Sequence, residues 1–127
     1  MKFYIASSFQ NIEAVRKVAE TLKRKGFTHT YDWTQNEKAS TASDLKRIGL
    51  AEKEAVGEAN FLVVLLPAGK GSHVELGLAL AMDKPVFLYA PDHRLEDSST
   101  FYHLTEVTLC KGTRQELIDT INRSFSR

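Results

Sequence analysis

The sequence predicts an α/β fold in which one doubly wound sheet carries five parallel strands in the order 2-1-3-4-5. Three observations lead to it. Short β-branched and aromatic stretches alternate with longer stretches of helical periodicity, the rhythm of β-α units whose crossovers pair strands in parallel. The third strand candidate, residues 61–66 (FLVVLL), is apolar at every position, as a central strand covered on both faces must be. Finally, 127 residues with 43% hydrophobic and 26% charged content suit a single globular domain over residues 1–127. Such a chain buries a core without staples and is unlike disordered, collagenous or coiled-coil chains.

Each element follows from local chemistry. Residues 2–6 (KFYIA) read as the first strand, and residues 11–25 carry Ile12, Val15, Val18, Ala19 and Leu22 at helical spacing before Gly26 supplies the stop. Residues 27–33 (FTHTYDW) have the β-branched and aromatic content of a second strand; a polar loop over 34–43 leads to a second helix over 44–59. After the third strand, residues 72–82 form a short, mostly apolar helix. The fourth strand covers 85–89, with Pro85 at the first position, where a missing N–H is tolerated. A long polar loop over 91–105 embeds Phe101, Tyr102 and His103, and loops of this length often act as lids or partner contacts. A strand at 107–110 and a helix over 113–124 complete a flavodoxin-like, Rossmann-like order.

Charge and composition narrow the function. Seventeen basic against sixteen acidic residues leave a net charge of +1, without the basic excess that phosphate-backbone binding usually leaves, so no nucleic-acid partner is expected. The one cysteine, Cys110, forms no internal disulfide, and no charged leader with an apolar stretch opens the chain; a cytoplasmic location is expected. The longest apolar stretch, residues 61–68, is less than half of the roughly 20 residues that span a bilayer, so no membrane association is expected.

In such sheets ligands sit beyond the carboxyl ends of the strands where strand order reverses, here between the first and third strands. Two loops border that crevice. Ser7, Ser8, Phe9 and Gln10 follow the first strand, beside Tyr4; Gly69, Lys70, Gly71 and Ser72 follow the third and lead into a helix whose free N–H groups can hold an anion. A Walker phosphate loop would need glycine where Val64 stands, so the glycines read either as an anion cradle or as a plain strand-to-helix turn with a solvated lysine.

Two glutamates stand out. On the second helix Leu45, Ile48, Ala55, Val56 and Ala59 form one stripe with Glu52 at its centre, while Glu54 and Glu58 point away. A carboxylate there is either functional, its pKa raised by burial, or solvated near the helix end. Glu75 heads a line that continues through Leu78, Ala79 and Met82, which aims it at the crevice; alternatively, Ser72-His73-Val74-Glu75 is a capping box that uses the carboxylate locally. His73 lies about 200° from Glu75 around the helix and reads as surface or interface. Asp32 and Trp33 read as ligand-pocket wall or as packing, and the four histidines show no metal spacing, so neither metal nor cofactor is expected.

Residues 3–9 (FYIASSF), 59–64 (ANFLVV) and above all 69–77 (GKGSHVELG), with Ala79, Ala81 and Lys84-Pro85-Val86, resemble the nucleoside 2-deoxyribosyltransferase family, which includes the 2'-deoxynucleoside 5'-phosphate N-hydrolases. The resemblance implies an enzyme that cleaves or transfers at the N-glycosidic bond of a (deoxy)nucleoside or its 5'-monophosphate. Glu75 matches the nucleophile that attacks the anomeric carbon, Tyr4 the tyrosine that holds it, and Glu52 the acidic residue near base and sugar. Ser7, Ser8, Gly71 and Ser72 match loops that contact the sugar or its phosphate; Phe9, Gly69 and Lys70 lie in the same loops. The transferases' acidic loop residue is replaced by Gly69 and Lys70, and the nucleotide hydrolases' arginine by Gln10, which leaves Lys70 as charge partner for a phosphate. The family also implies a homodimer or higher oligomer, with the loop around Tyr102 and His103 serving a neighbour. The alternatives are an NAD-type glycohydrolase resembling TIR domains and a non-catalytic nucleotide-binding module. A receiver-like phosphoacceptor is weaker, since Leu65-Leu66-Pro67 offers no aspartate.

Overall fold

The computed structural model describes residues 1–126. Its strands are β1 (Lys2–Ala6), β2 (Thr28–His29), β3 (Phe61–Leu65), β4 (Val86–Tyr89) and β5 (Val107–Cys110), and its helices α1 (Ile12–Arg24), α2 (Ala42–Glu58), α3 (Lys70–Ala81) and α4 (Arg114–Phe125). The strands form one sheet in the order β2-β1-β3-β4-β5, every pair parallel, with Phe3 opposite Phe61 and Leu62 opposite Val86. This is the flavodoxin-like order expected.

Helix α1 packs beside α4 and α2 beside α3, so both faces of the sheet are covered, which is why β3 tolerates no polar residue. Burial of Val15, Val18, Ala19 and Leu22 fixes the inner face of α1. An aromatic cluster fills the end of the core near the strand starts: Phe61 stacks on Phe125 at 4.8 Å and meets Phe87 edge-on at 5.7 Å and Phe27 at 5.5 Å. Stability is thus concentrated away from the carboxyl ends of the strands, where the loops gather.

Several boundaries differ from those expected. The second strand shrinks from 27–33 to Thr28–His29. Phe27 turns into the aromatic cluster before pairing begins, and Asp32 then accepts from Thr34 N at 3.0 Å to start a 3-10 turn, Trp33–Gln35. Helix α2 starts at Ala42 rather than 44 because the Thr41 hydroxyl caps Asp44 N at 3.0 Å. Its apolar stripe is only half used: Ala55, Val56 and Ala59 are buried, whereas Leu45 is 64% exposed, since the first half of α2 overhangs the sheet as a cavity wall.

Helix α3 starts at Lys70, with Gly69 as N-cap, and not at Ser72. Glu75 therefore stands in the second turn, and the Ser72–Glu75 capping box does not form. The C-terminus of α2 lacks a glycine cap; Lys84 Nζ instead donates to the carbonyls of Val56 at 2.8 Å and of Gly57 and Ala59 at 2.6 Å. The loop over 91–105 is structured by two 3-10 turns, Leu95–Asp97 and Thr100–His103, the second burying Tyr102.

Candidate active site

The site grows from Tyr4. Strand alternation sends Phe3 toward His29, against which it stacks at 4.7 Å, and Tyr4 to the opposite face, beneath α2 and α3. There the fully buried Tyr4 hydroxyl donates to Glu75 Oε2 in a short bond and lies 3.3 Å from Glu52 Oε2. Three residues from β1, α2 and α3 thus share one oxygen. A phenol has a single proton to donate, so a proton on one of the carboxyls completes the set.

Burial above all pushes Glu75 up to about 8; the Tyr4 hydrogen bond pulls it back, and the neighbouring Glu52 adds to the rise. Burial, with the two carboxylates, holds the Tyr4 phenol far above its ordinary value, so it stays a neutral donor.

The carboxyls face a cavity of about 680 Å³. One side is formed by Ser7, Ser8 and Phe9 after β1, another by Gly69, Gly71 and Ser72 at the start of α3. A Cβ at Gly69 or Gly71 would meet nothing within 4 Å, so the space beside these glycines is open rather than filled by protein. The serines do more than line the cavity. Ser7 Oγ donates to Leu65 O at 2.7 Å, Ser8 Oγ to Pro67 O at 3.2 Å, and Asn11 Nδ2 to Pro67 O at 3.3 Å, stitching the loop after β1 to the loop after β3.

The third wall comes from Trp33, Asn36, Lys38, Leu45 and Ile48. Trp33 is fixed by its indole N–H, which donates to Ile5 O at 2.7 Å, and Phe9 meets it edge-on at 5.3 Å. Arg16 steadies the same turn by donating to Thr34 O at 3.0 Å. Tyr31 donates to Asn36 Oδ1 at 2.9 Å, which leaves the amide N–H₂ of Asn36 as the group available to a ligand.

Most of the residues named from sequence therefore converge: Tyr4, Glu52 and Glu75 on one another, and Ser7, Ser8, Phe9, Gly69, Gly71 and Ser72 on the cavity. Lys70 does not line it; this lysine is exposed on the first turn of α3, and Lys38 is the cation on the cavity wall. Asn36 and Lys38 escaped the sequence reading because nothing in a polar loop marks which side chain turns inward. Among the described residues no cluster of His, Cys, Asp or Glu is built to hold a metal ion, and no helix is long and apolar enough to cross a membrane.

Fold and site together define a doubly wound α/β domain with a tyrosine-bridged carboxyl pair at its switch point. A family model for nucleoside 2-deoxyribosyltransferases matches residues 3–114, and the chain belongs to that family. No curated protein sequence matches it significantly. Among solved structures it is similar to a CMP N-glycosidase from Clostridium botulinum, with a TM-score of 0.70 and 16% identity over 96% of this chain and 99% of that one. A conserved protein from Enterococcus faecalis V583 gives 0.72 and 19% over 98% and 99%, and a 2-deoxyribosyltransferase from Bacillus psychrosaccharolyticus gives 0.72 and 17% over 92% and 90%.

Proposed function

We propose that the protein cleaves or transfers at the N-glycosidic bond of a (deoxy)nucleoside or its 5'-monophosphate through a glycosyl ester on Glu75. The observation that carries this reading is the Tyr4 hydroxyl in reach of both Glu75 and Glu52 at the wall of an open cavity. The pair holds one proton, which Tyr4 can relay between its carboxyls; with that proton on Glu52, ionised Glu75 attacks the anomeric carbon as the base departs, and Glu52 gives the proton to the leaving nitrogen. Water or a second base then attacks the same carbon and releases Glu75, with Glu52 taking the proton back. Carboxyls close enough to share one hydroxyl suit this retaining route, which needs no gap for a water between them.

The sugar lies against the carboxyl pair. Its 5' end points to the first turn of α3, whose free N–H groups and Ser72 hydroxyl receive a hydroxyl or a phosphate, and Lys70 adds positive charge at that turn; Ser7 and Ser8, whose hydroxyl protons go to Leu65 O and Pro67 O, line the same side and can accept from a sugar hydroxyl. The base extends toward Phe9 and Trp33. The CMP N-glycosidase and the 2-deoxyribosyltransferase among the structural neighbours act on this substrate class, in agreement with the reading. We place the protein in the cytoplasm as a homodimer or higher oligomer, with exposed Phe101 and Leu104 of the long loop at the contact; a monomer by light scattering would remove that element.

The deciding experiment offers the protein nucleosides, deoxynucleosides, their 5'-monophosphates and NAD, with and without a second free base, beside a Glu75→Gln control. Base release or exchange that disappears in the control is the expected outcome. No turnover, or turnover that survives Glu75→Gln, overturns the reading.

A further inference from the structure

The first turn of α3 lines the catalytic cavity, yet little inside the cavity keeps it in shape. Its N-cap is Gly69, which offers no side chain to bond the free N–H groups, and Gly71 follows two residues later. Two glycines in three residues give the least constrained backbone of the site. The support comes from the other side. His73 Nδ1 lies 2.8 Å from Gly69 O, beside the backbone bond from His73 N to the same carbonyl at 3.2 Å, and His73 Nε2 lies 2.7 Å from the Tyr102 hydroxyl. The Tyr102 ring is buried, stacks against His73 at 6.0 Å and receives His93 edge-on at 5.7 Å.

His73 and Tyr102 line a separate cavity between the loops after β3 and β4, so neither touches a ligand bound against Glu75. Because Gly69 O can only accept, the proton of a neutral ring sits on Nδ1, and the Tyr102 hydroxyl donates to Nε2. A charged ring would donate to both partners. The tie stands in either state.

We propose that His73 and Tyr102 are positioning residues that hold the first turn of α3 in its ligand-ready shape from outside the catalytic cavity. Its effect on substrate rests on the proposed function, whereas its effect on the order of the turn does not. Loss of the tie leaves Glu75, one turn further along α3, in place, so the cost falls on binding rather than on chemistry.

The test uses Tyr102→Phe and His73→Phe, which keep ring packing and remove the hydrogen bonds, and His73→Asn, whose amide retains the bond to Gly69 O without reaching Tyr102. Amide exchange over residues 69–76 and the affinity of Glu75→Gln backgrounds for a nucleoside 5'-monophosphate are measured with or without turnover. Both phenylalanine variants, and also His73→Asn, are expected to speed exchange there about five- to tenfold and to weaken binding by a similar factor. In the active protein KM rises with kcat held within about twofold. Unchanged exchange in Tyr102→Phe, or wild-type behaviour of His73→Asn, overturns the proposal. If the wild-type protein turns over nothing, the proposed function fails while exchange still decides the tie; binding that none of the variants alters overturns the link to the ligand.

Discussion

On the proposed route, replacing Glu52 with glutamine preserves the shape of the site and removes two roles that belong to different protonation states of the pair: with the shared proton on Glu52, the acid for the departing base; with Glu52 ionised, a like charge beside Glu75. The first loss slows cleavage of an ordinary nucleoside by about 10²–10⁴-fold, the usual reach of general acid catalysis, or roughly 3–5 kcal/mol of barrier. The second loss works the other way. With Glu75 pushed up to about 8, only a minor part of it is ionised at pH 7, a handicap for a nucleophile. Removing Glu52 takes away the neighbouring charge that helps hold Glu75 up, so the pH at which Glu75 ionises falls, although burial keeps it above an ordinary carboxyl. A substrate whose leaving group departs without a proton, such as a nitrophenyl deoxyriboside, reads this directly. With wild-type protein its kcat/KM climbs as pH rises through about 8; with Glu52→Gln the same climb comes at lower pH, and the rate at pH 7 is equal to or above wild type. Equal losses on activated and ordinary substrates, with the pH profile unmoved, would refute the division of labour between the two carboxyls.

Tyr4→Phe deletes the buried donor to Glu75, a charge-assisted bond worth about 1.5–3 kcal/mol; kcat/KM should fall about 10- to 100-fold and the climb move to higher pH, measured by the same profile. Phe9 is 66% exposed, so Phe9→Ala should leave urea stability within about 0.5 kcal/mol while KM rises, a pairing that marks it as ligand wall and not core. Lys70→Ala should lower the preference for a 5'-monophosphate over the matching nucleoside; an unchanged ratio of kcat/KM transfers the charge role to Lys38 on the cavity wall. His29 Nε2 is buried without a partner, and burial lowers the imidazole below its ordinary 6.5. The unfolded chain therefore binds the extra proton first: stability is complete above about pH 6.5, declines as pH falls toward the folded value, and His29→Phe should flatten that decline in urea titrations.

Fold and site were legible in the sequence to different depths. Continuous burial of residues 61–65 and the alternation around them carried strand order, because parallel pairing follows from crossover topology and little else. Tyr4, Glu52 and Glu75, drawn from three elements far apart in the chain, meet where the crevice rule and the helix wheel direct them. Boundaries decided by one side-chain bond were not legible. Ser72 has the chemistry of an N-cap, yet Gly69 is the N-cap and the helix begins at Lys70, since the chain leaving β3 reaches helical geometry earlier. Trp33 has the composition of a strand residue but sits in a turn, because Asp32 competes for the backbone and the indole bonds back to Ile5. Leu45 matched a core stripe; only the position of the sheet edge reveals that its half of α2 projects past it.

That projection makes part of the molecule replaceable. Leu45 and Ile48 face the ligand space and, together with residues 36–39 leading into α2, sit apart from the Phe61–Phe125 cluster that carries the fold. Varying these positions re-shapes the pocket at little thermodynamic cost, whereas the same changes at Ala55 or Val56, a few turns along the same helix, would unseat it from the sheet. If the proposed function holds, a single helix serves as a scaffold at one end and as an exchangeable specificity cassette at the other, and libraries confined to residues 36–39, Leu45 and Ile48, which spare the Thr41 cap, would explore new substrates while the protein still folds.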